Sequence, residues 1–183
     1  GKWHLGHNDQ FHPLNRGFDE FFGLLGAATS YADHAREDLV IQTLWGMELP
    51  LLSYFPDDLT LSLWSVIKAF FFEPGAPLLM RGTNHVQEDS YLTHAFSREA
   101  VDFINRHRDE PFFLYIPYTA VHYPLQVPRE YYDQFAHIED EQLRILTAMT
   151  ASLDDGVGSV LNALQANGLE DNTLVFFMSD NGA

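Results

Sequence analysis

Lys2 and His4 stand two residues apart in Gly1-Lys2-Trp3-His4-Leu5-Gly6, so on an extended segment both side chains leave one face. An ammonium and an imidazole held together can grip a tetrahedral anion and supply a proton. A bare Lys-x-His also arises readily by surface chance, so its weight depends on its company. His122, in Ala120-Val121-His122-Tyr123-Pro124, follows a short apolar run. That spacing puts it beyond the carboxyl end of a strand, where ligands collect in open α/β sheets. The plain alternative is a loop histidine held by a backbone carbonyl. Asp180-Asn181-Gly182 follows a second apolar run in the same way. Carboxylate and amide oxygens are hard donors that suit Ca²⁺ or Mg²⁺ better than zinc. The same tripeptide is also a common turn. Ser30, in Gly26-Ala27-Ala28-Thr29-Ser30-Tyr31, can donate a hydrogen bond but taken alone is a loop serine.

These groups need elements to position them. The runs at 111–118 and 173–178 are apolar on both faces, which predicts buried strands of a parallel sheet covered by helices. A helix is predicted over 90–108, with Leu92, Ala95, Phe96, Ala100, Phe103 and Ile104 as its stripe and Ser90 or Asp89 as its cap. A second runs from 140 to 166, with Leu143, Leu146, Met149, Leu153, Val157, Val160, Leu161 and Leu164 as its stripe. Gly168 is its stop, and Gly156 and Gly158 weaken its middle. Helix, strand, loop, helix, strand is an α/β order. Region 35–80 reads as an insertion or lid, partly helical, packing on the sheet or shaping a cleft. Its apolar stretch from Leu59 to Phe72 contains Lys68 and falls short of the ~20 residues that cross a bilayer.

Composition narrows the function classes. Among 183 residues, 26 are acidic and 10 basic, a formal net charge of −16. That balance excludes the basic footprint of a nucleic-acid binder and simple adhesion to anionic membranes. A hydrophobic fraction of 46% excludes intrinsic disorder. With no cysteine there is no disulfide framework, no thiolate metal site and no cysteine nucleophile within these residues.

Gly1-Lys2-Trp3-His4-Leu5-Gly6 resembles the second signature of the sulfatase family, and Pro13-Leu14-Asn15-Arg16-Gly17-Phe18-Asp19-Glu20-Phe21-Phe22-Gly23 resembles the segment that trails it in arylsulfatases. Tyr91-Leu92-Thr93, Pro111 to Tyr115, Ala120 to Pro124, Asp154-Asp155-Gly156-Val157-Gly158 and Ser179-Asp180-Asn181-Gly182 follow in the family's order. At His94 the family more often has an acidic residue. The resemblance implies an alkaline-phosphatase-like α/β fold, a mixed or parallel sheet flanked by helices, incomplete here. Residues 1–183 then form the central part of a sulfatase catalytic domain. It also implies a calcium-dependent sulfuric ester hydrolase. In that family a Cys/Ser-x-Pro/Ala-x-Arg motif yields a formylglycine whose hydrate attacks sulfur. Carried over by motif, Lys2 and His4 bind sulfate oxygens, and His122 contacts sulfate and helps protonate the leaving alcohol. Ser30 is a further substrate contact, and Asp180 and Asn181 are ligands of one Ca²⁺.

The departures are as informative. No Cys/Ser-x-Pro/Ala-x-Arg occurs, so the nucleophile is expected upstream of residue 1, with the aspartates that complete the calcium site. The expectation is therefore an internal segment, inactive by itself. Asp154-Asp155 lie within the long helical pattern and cannot stand in. The implied partner is a sulfated small molecule or glycan, and the implied location periplasmic, secreted or lysosomal. Two other readings compete: a phosphoesterase or phosphonate hydrolase of the same superfamily, and a non-catalytic, calcium-dependent glycan-binding pseudoenzyme.

Overall fold

The structure, a computed structural model, describes residues 1–26, 30–33, 36–44, 47–48 and 78–179. Its described strands are short: β1 (Phe22–Gly23), β2 (Leu39–Ile41), β3 (Thr43–Leu44), β4 (Met47–Glu48), β5 (Leu78–Arg81), β6 (Asn84–Gln87) and β7 (Gln126–Pro128). The described helices are α1 (Leu92–His107), α2 (Arg129–Tyr132) and α3 (Glu141–Ala166). The order β1-β5-β6 makes one sheet, and β2 pairs with β7 and β3 with β4. All of these ladders are antiparallel. The one described parallel pairing is the bridge between Lys2 and Leu24.

Both long helices form where the sequence predicts them. At the start of α3 the Asp140 carboxylate accepts from the Leu143 N–H at 2.8 Å, satisfying an otherwise orphaned donor. The helix ends where Gly168 takes a φ of 68° and the Leu169 N–H turns back to the Leu164 carbonyl at 2.9 Å. The expected cap of α1 is corrected: neither Ser90 nor Asp89 caps it, and Tyr91 holds the N-cap position without a side-chain bond. The Tyr31 carbonyl takes the Leu92 N–H at 2.7 Å, while Glu88 takes the Ser90 N–H at 2.9 Å. A distant carbonyl thus does the work expected of a local side chain.

The stripe on α3 also shifts. Ile145, Ala148, Met149, Ser152, Gly156, Ala163 and Leu164 are buried, whereas Leu143 and Leu161 are 52% and 44% exposed. Gly156 explains the offset, since a Cβ there would overlap the Ser97 hydroxyl of α1. The two helices cross closely at this point. The main core gathers Tyr31, Tyr91, Leu92, Phe96, Leu125, Val127, Ile145 and Met149, and a second cluster forms around Ile104, Ala163 and Leu164.

The two predicted buried strands are corrected. Residues 111–118 join no ladder, and their burial alternates: Phe112 and Leu114 pack on the second cluster while Phe113 and Tyr115 are 75% and 53% exposed. Residues 173–178 also lie outside any ladder, with Leu174, Phe176, Phe177 and Met178 near 80% exposed. A run is buried on both faces only where strands flank it and helices cover it, and no strand among the described residues pairs with either run. Of region 35–80, β2 pairs with β7 and β5 with β1 and β6. The apolar stretch 59–72 lies outside the described residues. No helix among the described residues is long and apolar enough to cross a membrane.

Candidate functional site

The segment carrying Lys2 is sewn into the fold by its backbone. The Lys2 N–H donates to the Pro117 carbonyl at 2.7 Å, the Trp3 N–H to the Leu24 carbonyl at 2.8 Å and the Leu24 N–H to the Gly1 carbonyl at 3.1 Å. Gly23 is what permits this approach, because a Cβ there would overlap the Gly1 carbonyl oxygen. The Trp3 indole N–H donates to the Phe11 carbonyl at 2.7 Å, and its ring meets Phe18 edge-on at 5.8 Å. Lys2 therefore sits on a segment fixed from both sides.

The same-face argument for Lys2 and His4 is corrected at His4. This residue has a φ of 54°, in the left-handed region, so the two-residue alternation of a strand stops at Trp3. Its N–H still donates to the Leu25 carbonyl at 3.2 Å, and the side chain is exposed. The bend aims His4 by a local turn instead of by strand periodicity.

His122 is exposed, on a turn that follows the unladdered run 111–118 and not a strand end. Its N–H donates to the Thr119 carbonyl at 2.9 Å, and its ring Nδ1 lies 2.7 Å from the Tyr123 carbonyl. A carbonyl can only accept, so Nδ1 carries a proton and Nε2 is the nitrogen presented outward. The plain reading of a histidine held by a backbone carbonyl is thus realised in a form that also suits proton transfer.

Ser30 is buried, directly before Tyr31. The Tyr31 hydroxyl donates to the carbonyls of Thr119 and His122, at 2.5 and 2.9 Å. Three segments far apart in sequence, 1–4, 30–31 and 117–123, are therefore tied together through the carbonyls of Pro117, Thr119 and His122, which accept from the Lys2 N–H and the Tyr31 hydroxyl. Asp180 and Asn181 lie outside the described residues. Among the described residues no group of three or more His, Cys, Asp or Glu side chains could hold a metal. Asp155 is on α3, as its helical pattern requires, where its carboxylate accepts from the Tyr131 hydroxyl at 2.9 Å.

Sequence reasoning missed the buried polar frame behind these segments. The Tyr31 N–H donates to the Gln126 side-chain carbonyl at 2.7 Å, and the Tyr91 hydroxyl donates to the Gln126 backbone carbonyl at 2.8 Å. Burial pushes the hydroxyl pKa of both tyrosines up, so they remain donors. The available signal was Gln126 itself, a polar residue inside the apolar run Pro124-Leu125-Gln126-Val127-Pro128. His94 belongs to the packing: it is half-buried between Tyr91 and Tyr131, 3.3 Å from the Ser152 hydroxyl. Burial lowers its pKa, favouring the neutral ring.

Comparisons with known proteins cover all of these segments. The family model described as Sulfatase matches residues 1–183. Human (Homo sapiens) N-acetylgalactosamine-6-sulfatase is 33% identical over the whole chain, which corresponds to 29% of that protein. Mouse (Mus musculus) arylsulfatase J is 30% identical over the whole chain, which corresponds to 26% of its length. The chain thus spans less than a third of the length of these relatives. Among solved structures, Ps i-CgsB in complex with k-i-k-neocarrahexaose superposes with a TM-score of 0.69 at 32% identity, covering 93% of this chain and 34% of that one.

Proposed function

The chain belongs to the sulfatase family, and from that premise we propose that the protein carrying it hydrolyses sulfate esters, with residues 1–183 as the central part of its catalytic domain and 35–80 as an insertion or lid. The observation that supports this reading most is the fastening of the Lys2 segment to Pro117 and of the His122 turn to Tyr31, which ties together segments from separate parts of the chain that carry the proposed cationic and proton-bearing residues.

In this reading Lys2 supplies fixed positive charge to the sulfate oxygens, and His4 and Ser30 add donors. Negative charge persists on a sulfuryl group through the transition state, so cations already in place need little reorganisation as the bond breaks. Against a chain with net charge −16, that local charge is also what admits an anionic substrate. His122 works at the other end of the breaking bond. With Nδ1 committed to the Tyr123 carbonyl at 2.7 Å, a proton on Nε2 is directed outward, toward the oxygen of the departing alcohol.

The nucleophile in this proposal is a formylglycine outside these residues, and it supplies the attack on sulfur. Asp180 and Asn181 carry the hard oxygen donors that suit Ca²⁺, and two such residues leave most of its six to eight positions to groups elsewhere. When bound, the cation supplies Lewis-acid stabilisation of sulfate charge. The relatives' names and the neocarrahexaose bound to one structural neighbour favour a sulfated glycan as substrate. A periplasmic, secreted or lysosomal location accompanies the proposal.

The test is a paired turnover assay of the whole protein on nitrophenyl sulfate and nitrophenyl phosphate. Preferential cleavage of the sulfate supports the proposal. Preferential cleavage of the phosphate supports the phosphoesterase alternative, and glycan binding without turnover of either supports the pseudoenzyme.

A further inference from the structure

We propose that Tyr31 is a positioning residue for His122, acting through the backbone carbonyls of Thr119 and His122. The proposal rests on the reading of His122 as the acid that protonates the leaving alcohol. It begins from how completely Tyr31 is held. Its residue is 1% exposed, its N–H donates to Gln126 Oε1 at 2.7 Å, and its carbonyl accepts from Leu92 at the start of α1 at 2.7 Å. Its ring stacks on Tyr91 with centroids 5.5 Å apart and planes 24° from parallel. Backbone and ring are thereby fixed to the core, and the hydroxyl has one place to be.

From that place the single phenolic proton is shared between two carbonyl oxygens, at 2.5 Å to Thr119 and 2.9 Å to His122. The same two residues close the turn, since the His122 N–H donates to the Thr119 carbonyl at 2.9 Å. Tyr31 therefore braces the turn from the buried side while the imidazole stands on the exposed side. The next link orients the ring itself, through Nδ1 and the Tyr123 carbonyl. Packing alone would be served by phenylalanine. A hydroxyl aimed at both ends of the turn fixes the direction in which His122 offers its proton, and misplacement of a catalytic group by about 1 Å can cost on the order of a hundredfold in rate.

Leaving-group dependence tests this in the whole protein. An alkyl sulfate expels a poor leaving group and needs the acid, whereas nitrophenyl sulfate expels a stable phenolate and needs it little. Tyr31→Phe removes one oxygen and keeps the stack. The expected result is a loss of roughly tenfold or more in kcat on the alkyl sulfate, with less than about threefold on nitrophenyl sulfate. His122→Ala should show the same pattern more strongly, and adding Tyr31→Phe to it should change the ratio between the two substrates no further. Tyr91→Phe, which removes a hydroxyl from the same stack but touches neither carbonyl, should keep the parent ratio. Ala120→Gly slackens the same turn at the cost of a single partly buried methyl at the edge of the core, should reproduce the pattern, and carries the test if Tyr31→Phe does not fold. Equal losses on both substrates in Tyr31→Phe, an unchanged ratio in Ala120→Gly, or the same pattern in Tyr91→Phe would each overturn the positioning role while leaving His122 as the acid. No leaving-group dependence in His122→Ala would overturn both.

Discussion

The close crossing of α1 and α3 gives a prediction whose sign depends on the background. Gly156 lies in the middle of a 26-residue helix, where replacing glycine by alanine ordinarily gains about 1 kcal/mol of helix stability. Here the new Cβ would overlap Ser97 Oγ, with the Tyr118 hydroxyl next at 3.3 Å. Overpacking of this kind costs ~1–3 kcal/mol, so Gly156→Ala alone should be neutral to destabilising. Ser97→Ala removes the obstructing oxygen, together with its hydrogen bonds to the Thr93 carbonyl at 2.7 Å and the Tyr118 hydroxyl at 2.9 Å. That single change should cost about 1 kcal/mol. In the Ser97→Ala background the overlap with Oγ is gone and only the close contact with the Tyr118 hydroxyl remains, so Gly156→Ala should stabilise by a large part of its helix-propensity gain. Urea titrations of the four proteins complete the cycle, with a coupling of ~1–3 kcal/mol expected. Additivity within about 0.5 kcal/mol would refute the argument that the glycine is there to let the helices touch.

Two further perturbations probe other contacts. His107 lies between two carboxylates, with Nδ1 2.5 Å from Glu110 and Nε2 2.7 Å from Glu20, and only the imidazolium can donate to both. The bonds to Glu110 and then Glu20 raise its pKa, so its stabilisation is fully present below the ordinary imidazole value near 6.5, while the carboxylates stay ionised, and is lost as pH rises through the higher folded value. The melting-temperature gap between the parent and His107→Gln should therefore close toward alkaline pH; a gap constant from pH 5.5 to 9 would contradict this. Asp140→Ala should cost about 1 kcal/mol in a urea titration by leaving the Leu143 N–H uncapped, while Asp140→Ser should restore most of it.

What the sequence made legible was local. The two long helices follow from apolar periodicity, and the end of α3 from the Gly168 stop, a signal that acts within a few residues. The Lys2, His4 and His122 motifs carry the family resemblance in the order and spacing of residues. What stayed hidden depends on groups distant in sequence. The start of α1 is held by the Tyr31 carbonyl, some 60 residues away, and not by Ser90 or Asp89. The runs at 111–118 and 173–178 have strand composition, yet composition does not decide whether neighbours cover both faces. His4 departs from strand alternation because its backbone turns left-handed, a conformation that its residue type does not announce. The buried polar frame of Tyr31, Gln126 and Tyr91 joins two sequence-distant tyrosines to a lone buried glutamine, and no local pattern links them.

The proposed function turns on the role it gives Lys2, as the fixed charge that would select and stabilise a sulfate group. Steady-state hydrolysis of an aryl sulfate by the whole protein and by its Lys2→Ala variant measures that role directly. The expected result is a fall in kcat/KM of at least about tenfold, or ~1.4 kcal/mol of lost transition-state stabilisation, with folding unchanged. Turnover equal to that of the parent protein would contradict it.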